Sequence, residues 1–469
     1  MRENVERELK LVPPDDFHLH DLGGVALPDR MFVSTYHDTE DLRLVRHGVT
    51  FRHRIEDGTR LWQLKLPRGA ARIELEQQGP PARPPDELLG LLPAYLRGAS
   101  LHQVARLRTR RKSVRKDGAE IVDDSVAVLD GQRVTGRFRE LEVELIDGDE
   151  ETLAHLEQTL LEAGATTGEF EPKLYRVLGL EYPTEHAEIR ASADVGEALG
   201  IALLEQHSRL LAYDPGTRLG TDPEDLHQMR VATRRARAFL RTARPILDVE
   251  WASELRDELG WLGSALGPAR DLDVLVDHLR DDVAELGDQG ELARGLIDAL
   301  EDERGEARAA AVAALSEERY FALLDRLEHA EHPVLGAEAD ETLADLWSKE
   351  FRRARRVFSK LGPKSSGAEL HAGRIRIKRA RYAAELAAHE LGRPGQRFVS
   401  AAKDLQDILG EHQDAVVAEG LIAEWGDAGG DNEVAALLAE RERDRRRRAR
   451  AEWPAAWKKL VRRAHKAKR

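Results

Sequence analysis

Glu6-Arg7-Glu8-Leu9-Lys10, close to the start of the chain, has the alternating rhythm of a β-strand. Strand side chains alternate between faces, so Glu6, Glu8 and Lys10 share one face while Val5, Leu9 and Leu11 share the other. Glu140-Leu141-Glu142-Val143-Glu144-Leu145 repeats the grammar. Three carboxylates in a row repel one another, and a fold keeps them only where that face meets water or a cation. Arg52 and Arg54 repeat the spacing with positive charge, as do Arg72, Glu74 and Glu76, and Arg106, Arg108 and Arg110; Phe51, Ile73, Leu75 and Leu107 fall on the opposite faces.

A sheet wetted on one side accounts for any one of these segments. Together they sort into a carboxylate set and an arginine set, which suits a site holding metal ions and a polyanion. Closed into a barrel with the charged faces inward, such a sheet makes a tunnel lined for that purpose. Carboxylate oxygens suit magnesium or manganese, and arginine forks suit phosphate.

Further pieces follow in order: Tyr36-His37-Asp38-Thr39, Arg52-x-Arg54, Leu64-Lys65, Arg72-x-Glu74, Arg108-x-Arg110, Asp123-Asp124, Glu140-x-Glu142-x-Glu144 and Lys173-Leu174-Tyr175-Arg176. With Glu6-x-Glu8-x-Lys10 at their head, residues 1 to about 182 resemble the CYTH family, the triphosphate tunnel metalloenzymes. The resemblance implies an eight-stranded antiparallel barrel whose basic residues grip a triphosphate and whose acidic residues hold a divalent metal, Mg2+ or Mn2+. Lys10, Arg52, Arg54, Lys65, Arg108, Arg110, Lys173 and Arg176 would be the phosphate ligands. Glu6, Glu8, Asp124, Glu140, Glu142 and Glu144 would be the metal and water-positioning set, with Glu6, Glu8, Lys10 and Glu142 as the catalytic core. His37 stands where many relatives carry a second tyrosine. Asp123 and Asp124 compete for one role, because a one-residue slip exchanges the faces of a strand.

From about residue 194 the pattern turns to Ala-, Leu- and Arg-rich stretches at helical period, broken at Pro215-Gly216, Gly267-Pro268, Pro333, Gly362-Pro363 and Gly429-Gly430. The polar, proline-marked segment 183–193 reads as a linker. An internal repeat runs through the helical part. His227-Gln228-Met229-Arg230 leads to Arg234-Arg235-Ala236-Arg237, and His371-Ala372-Gly373-Arg374 leads to Lys378-Arg379-Ala380-Arg381, at an offset of 144 residues. Leu266-Gly267 with Arg270-Asp271 matches Leu409-Gly410 with Gln413-Asp414 at an offset of 143. The economical explanation is two copies of one helical unit, about 194–335 and 336–440.

At about 100° per residue, His227, Arg230, Arg234, Arg237, Arg241 and Arg244 fall within one arc, with Met229, Ala232, Ala236, Phe239 and Ala243 behind them. This is a rail of cations roughly 26 Å long. The second copy places His371, Arg374, Lys378 and Arg381 on the same arc and then departs, with Glu385 where the first has Arg241. A solvated helix face usually carries i,i+4 ion pairs, yet no carboxylate interrupts Arg230 to Arg244, which points to an external anion. The leading histidines fit a helix-start hydrogen-bonding role and a ligand role equally. Residues 194–440 resemble the CHAD family, the conserved-histidine α-helical domain, which implies a polyphosphate-binding module.

The 469 residues suffice for two or three domains with real cores. A net charge of −14 excludes a generally basic nucleic-acid coat, so the positive charge is local. With no cysteine, thiolate catalysis and disulfides are excluded. The first residues lack an apolar signal core and no stretch approaches a membrane span, so a cytoplasmic location is expected, with association with polyphosphate granules a further expectation. Residues 441–469 read as a basic tail, a solvated helix end followed by a frayed terminus, whose nucleic-acid contact would be weak, and the scattered tryptophans make no stacking platform.

The expected fold is thus α+β and multidomain: an eight-stranded antiparallel β-barrel tunnel (1–182), then an all-α domain of two pseudo-symmetric helical bundles. The expected function is metal-dependent hydrolysis of inorganic triphosphate or short polyphosphate in the tunnel, with the helical domain binding polyphosphate. The alternatives are a non-catalytic polyphosphate-targeting protein, or a nucleoside or thiamine triphosphate hydrolase.

Overall fold

The computed structural model describes residues 2–6, 8–68, 71–147, 149–167, 172–183, 189–190, 193–336 and 341–468. The chain divides into two compact units, residues 1–185 and 186–469. The division falls inside the segment read as a linker.

The first unit holds strands β1 (Arg2–Glu6), β2 (Glu8–Leu11), β3 (Val25–Ala26), β4 (Arg30–Asp38), β5 (Thr50–Glu56), β6 (Thr59–Arg68), β7 (Ala71–Gln78), β8 (His102–Lys116), β9 (Ala119–Asp130) and β10 (Arg133–Leu145). They form one antiparallel sheet in the order β1-β7-β6-β5-β4-β8-β9-β10-β2, with β3 added to β8. The two ends of that path are consecutive pieces of the amino-terminal segment, so the sheet curls round until β1 lies on β7 and β2 on β10. Counting β1 and β2 as one segment and setting aside the two-residue β3 leaves the eight strands that the sequence implies.

The sheet is inverted relative to an ordinary core. Leu141 and Val143 of β10 pack outward with Ile121 of β9 and Leu11 of β2 against Leu156 and Leu160 of a helix. That outer layer leaves Glu140, Glu142 and Glu144 on the inner face, as period two requires. The unit's helices are α1 (Arg43–Arg46), α2 (Asp86–Leu89), α3 (Pro93–Leu96), α4 (Glu150–Glu162, which supplies Leu156 and Leu160) and α5 (Lys173–Leu178). Asp149 caps α4 by accepting from the Thr152 amide, and Pro172 opens α5.

The second unit is helical: α6 (Val195–Leu219), α7 (Pro223–Ala243), α8 (Val249–Ala265), α9 (Gly267–Ala284), α10 (Arg294–Ala314), α11 (Glu318–Glu328), α12 (Leu343–Phe358), α13 (Gly367–Leu386), α14 (Ala388–Asp427, kinked at Gly392) and α15 (Asn432–Ala467). Asp194, Asp222, Asp248, Thr342 and Asp431 cap their helices through side-chain oxygens, and Ser366 with Glu369 forms a capping box on α13. The hairpin α6/α7 corresponds to α12/α13, and α7 packs on α13.

Two expectations are corrected here. Pro215-Gly216 is no break: α6 continues to Leu219 and stops at the left-handed Gly220. Gly216 is instead a close-packing position, because a Cβ there would overlap the Asp225 carboxylate. Residues 441–467 are helical, as expected for their first part, but they are neither a solvated end nor a frayed tail. They are the greater part of α15, held down by buried Ala449, Trp453, Leu460 and Ala464, with Trp457 stacked on Phe358 of α12.

Candidate functional site

The inner face of the curled sheet encloses a cavity of about 190 Å³ lined by both signs of charge. Lys10, Arg52, Arg54 and Lys65 line it from β2, β5 and β6, Glu142 and Glu144 from β10, and Lys173 from α5. Arg30, Arg72, Glu74, Glu76 and Glu120 complete the charged lining, with Tyr36 and Gln63 between them.

A compact ion cluster adjoins the cavity through Glu142, Lys173 and Arg111. Asp124, Glu140 and Glu142 each offer an oxygen within 4.8 Å of the others. Two cations hold them. Lys173 Nζ lies 2.5 Å from Glu140, 2.8 Å from Glu142 and 3.0 Å from Asp124. Arg111 forks onto Asp124 at 2.8 and 2.9 Å and reaches Glu142 at 2.8 Å and Glu144 at 3.3 Å. Lys10 adds a contact to Glu142 at 2.9 Å. Burial by itself pushes the Glu142 carboxyl up, and Lys10, Lys173 and Arg111 more than reverse this, holding it well below the usual carboxylate range. In Glu140 burial prevails over Lys173 and Lys10, and the group is pushed up. Adjacent carboxylates with environments that separate their protonation suit a division of acid and base roles. Arg54, buried beside Arg52, is pushed down to about 10. Its neighbour Arg52 is tethered by Nε to Gln63 at 2.7 Å and by Nη1 to the Tyr36 hydroxyl at 3.1 Å.

The expected set is not wholly brought together. Arg108 and Arg110 lie on the outer, exposed face of β8, Arg110 pairing with Asp29 at 2.9 Å. The inward residues of that strand are Leu107, Thr109 and Arg111, so β8 presents the opposite parity from the one the sequence suggested. The ladder fixes it: Arg111 faces Asp124, which faces Glu140. The same row settles the slip between the two aspartates, since Asp123 turns outward to Arg139 at 2.8 Å. Arg176 is exposed and rests its guanidinium 4.6 Å from the centre of the Phe138 ring, away from the cavity lining. The side chains of Glu6 and Glu8 lie outside the described residues; their backbones pair with Arg72 and Glu144.

An oxygen-only donor set of three adjacent carboxylates fits a hard divalent cation such as magnesium or manganese. Among the described residues a second group, His278, Asp282 and Glu442, also has ligand spacing, and like the first it is held by a cation, Arg445 donating to Asp282 and Glu442.

The second unit carries its own basic groove, a cavity of about 1370 Å³. His227, Arg230 and Arg234 of α7 line it together with His371, Arg374, Lys378 and Arg381 of α13. Repeat-related glycines seat two of these cations. The Arg230 guanidinium donates to the Gly267 carbonyl, and a Cβ on Gly267 would lie 3.2 Å from its Nη1; a Cβ on Gly410 would lie 3.1 Å from Nη2 of Arg374. Lys378, buried among Arg374, Arg234 and Arg381, is pushed down to about 7, with Asp414 opposing. Arg237 and Arg241 do not line the groove. The rail turns away because α13 crosses α7 there, where Arg234 Nε meets the Tyr382 hydroxyl at 2.8 Å and Arg235 meets Glu385 at 3.1 Å. Sequence reasoning missed Arg111, Arg270, Asp271, Asp414 and His278; the repeat itself was the signal that could have nominated Asp271 and Asp414.

Family models match a CYTH domain at residues 4–176 and a CHAD domain at residues 201–423. Two curated proteins of Mycobacterium tuberculosis, Uncharacterized protein MT2285 and Uncharacterized protein Rv2226, are each 31% identical over 483 residues, covering 94% of this chain and 92% of their own length. Among solved structures, PptA from Streptomyces chartreusis aligns at 21% identity and a TM-score of 0.48, covering 57% of this chain and 100% of its own. The CHAD domain of the plant Ricinus communis aligns at 25% identity and a TM-score of 0.48, covering 60% and 96%. HpAC1 from Hippeastrum, reported to have a dominant triphosphatase activity, aligns at 19% identity and a TM-score of 0.27, covering 39% and 99%. No described helix is long and apolar enough to cross a membrane. The two family-model matches and the 31% identical relatives make the chain a member of the proteins in which a CYTH domain is followed by a CHAD domain.

Proposed function

We propose that the first unit hydrolyses inorganic triphosphate or the end of a short polyphosphate with a divalent metal, magnesium or manganese, and that the helical unit binds polyphosphate. The observation that carries the reading is that Lys10, Arg52, Arg54, Lys65 and Arg111 line one cavity with Glu142, and that Glu142 belongs to a buried carboxylate cluster with Asp124 and Glu140. Anion binding alone has no use for three buried carboxylates, whose desolvation is costly.

In this account Arg52, Arg54 and Lys65 bind and orient the phosphoryl oxygens, the arginines through bidentate forks. Arg52, Arg54 and Lys65 are largely buried, with side chains 14%, 11% and 15% exposed, which strengthens each of these contacts. Asp124, Glu140 and Glu142 would hold the metal, which supplies charge neutralisation across phosphoryl oxygens and a more acidic water. Lys10 and Arg111 offset charge on the leaving phosphate. Lys173 neutralises the carboxylate set until the metal does so. Glu6 and Glu8, adjoining Arg72 and Glu144 in the ladder, keep their proposed place in the acidic set.

The division of labour is tested by Arg230→Glu with Arg374→Glu. Weakened binding of long-chain polyphosphate with triphosphate hydrolysis retained supports it, and equal loss of both contradicts it.

A further inference from the structure

Two helices of the second unit carry cations that their own carboxylates do not answer. On α15 the contrast lies within one helix. Its first half is laced with ion pairs three residues apart, Arg443 with Glu440 at 3.0 Å, Arg445 with Glu442 at 2.7 Å, and Arg447 with Asp444. From Trp453 onward the sequence holds no carboxylate. At about 100° per residue, exposed Lys458, Lys459, Arg462, His465 and Lys466 fall within an arc of about 120° opposite the buried stripe of Trp453, Leu460 and Ala464. On α12, exposed Arg352, Arg353 and Arg356 likewise point away from buried Phe351, Ala354 and Phe358, and no carboxylate follows Phe351 before Glu369. At the 144-residue offset the first copy has Ser208 and Ala212 where the second has Arg352 and Arg356, so the helical unit does not need these charges to fold.

The two strips share one side of the unit. Trp457 stacks on Phe358 with ring centres 4.2 Å apart and meets Phe351 at 6.1 Å, which holds α15 beside α12. Lys468, just past α15, is pushed down by burial and by the fields of Arg352 and Arg355. Among the described residues the carboxylates paired with these strips are Glu350, on Arg353, and Asp404, on Lys459 at 2.7 Å. None of these cations lines the basic groove. In a chain of net charge −14 they make a strong local reversal of sign.

The shape of this face selects among polyanions. Helices packed side by side lie roughly 10 Å apart, so the outward cations form two rows separated by about the width of a duplex groove, roughly 6–12 Å. A duplex offers two phosphate rows to match them, whereas a single condensed-phosphate chain follows one row at a time. A bilayer is disfavoured, because none of the exposed large apolar side chains lies on either strip to enter it. Trp457 is engaged by Phe358, which leaves its ring closed to base stacking, so contact is with phosphates whatever the sequence.

We infer that the outward face of α12 and of the last turns of α15 docks on the phosphate backbone of duplex nucleic acid, without sequence preference.

The test is fluorescence anisotropy of a short mixed-sequence DNA duplex titrated with the full chain over a range of salt. It compares wild type, the face variant Arg356→Gln, Lys458→Gln, Arg462→Gln, Lys466→Gln, and the groove variant Arg230→Glu, Arg374→Glu. All four face positions are exposed, so the face variant should melt with wild type and hydrolyse triphosphate as before. Each lost phosphate contact removes about 0.9 from the slope of log affinity against log salt, so this variant should lose a slope of about 3 to 4 and bind at least tenfold more weakly. The groove variant should bind duplex as wild type does, and the face variant should bind long-chain polyphosphate as wild type does, so this inference and the proposed role of the groove fail separately. The inference is overturned if wild type does not bind duplex, if the face variant binds it unchanged, or if the groove variant loses it. A parallel fall of polyphosphate and duplex binding in the face variant also overturns it, as does binding to phosphatidylserine vesicles with none to duplex.

Discussion

Lys173 Nζ lies 2.8 Å from the Glu142 carboxylate, with both side chains buried at the floor of the charged cavity. The ammonium stands where three carboxylates converge, so it acts as the internal counter-ion of the metal-free state. Breaking a buried ion pair by removing one partner costs about 3–5 kcal/mol, because the remaining charge is left uncompensated. Lys173→Met is expected to lower stability by that amount in chelator. Magnesium or manganese should restore more stability to the variant than to wild type, as read by thermal unfolding with and without metal.

The parity of β8 gives a sharp contrast between adjacent arginines. Arg111→Gln strips the fork from Asp124 and Glu142 and should destabilise by roughly 3 kcal/mol. Arg108→Gln, on the exposed face, should stay within about 0.5 kcal/mol of wild type and retain turnover. Denaturant unfolding of the two variants checks this, and the reverse ranking would place the outer face inward.

Gly267 and Gly410 are expected to act through the arginines they seat. Alanine at either brings a Cβ to within 3.1 to 3.2 Å of a guanidinium nitrogen, so the guanidinium must give by a few tenths of an ångström. Arg230 also donates to the Gly267 carbonyl, and a weakened charged hydrogen bond is worth up to about 1.5 kcal/mol, so polyphosphate affinity should fall by up to roughly tenfold in Gly267→Ala and by less in Gly410→Ala. Titration calorimetry reads the affinity, and triphosphate hydrolysis should be unchanged.

The groove should also bind with a pH dependence of definite sign. Lys378 faces Arg374, Arg234 and Arg381 with Asp414 as the opposing carboxylate, and in the empty groove it loses its proton near pH 7. A bound polyanion favours the ammonium, so binding above about pH 7 takes up a proton and affinity falls as pH rises. Below that point the lysine is already charged and this dependence flattens. Stability in the empty state has the opposite trend: the folded-state value lies below the ordinary 10.5, so the penalty for charging Lys378 is full below about 7 and is relieved as pH rises toward 10.5. Calorimetry in buffers of different ionisation enthalpy measures the proton uptake, which Lys378→Met should abolish.

Much of the barrel was legible because Glu140, Glu142 and Glu144 leave one choice of inner face once Leu141 and Val143 must be buried. The parity of β8 was not, since Arg106, Arg108, Arg110 and Arg111 supply cations on both faces and the deciding partner, Asp124, arrives through the ladder from another strand. Neither Arg237 nor Arg241 could be separated from the groove set by helical angle alone, because the crossing of α13 over α7 is a tertiary event. Residues 441–450 passed for a solvated helix end because arginine dominates their composition, while the widely spaced Ala449, Trp453, Leu460 and Ala464 do the anchoring.

The central claim is tested most directly by phosphate release from inorganic triphosphate with magnesium or manganese, comparing wild type with a Glu140→Gln, Glu142→Gln double variant. Metal-dependent release in wild type that falls by about 100-fold or more in the variant is the predicted result. No release from wild type, alongside tight polyphosphate binding, would contradict the account and leave the cavity as a receptor.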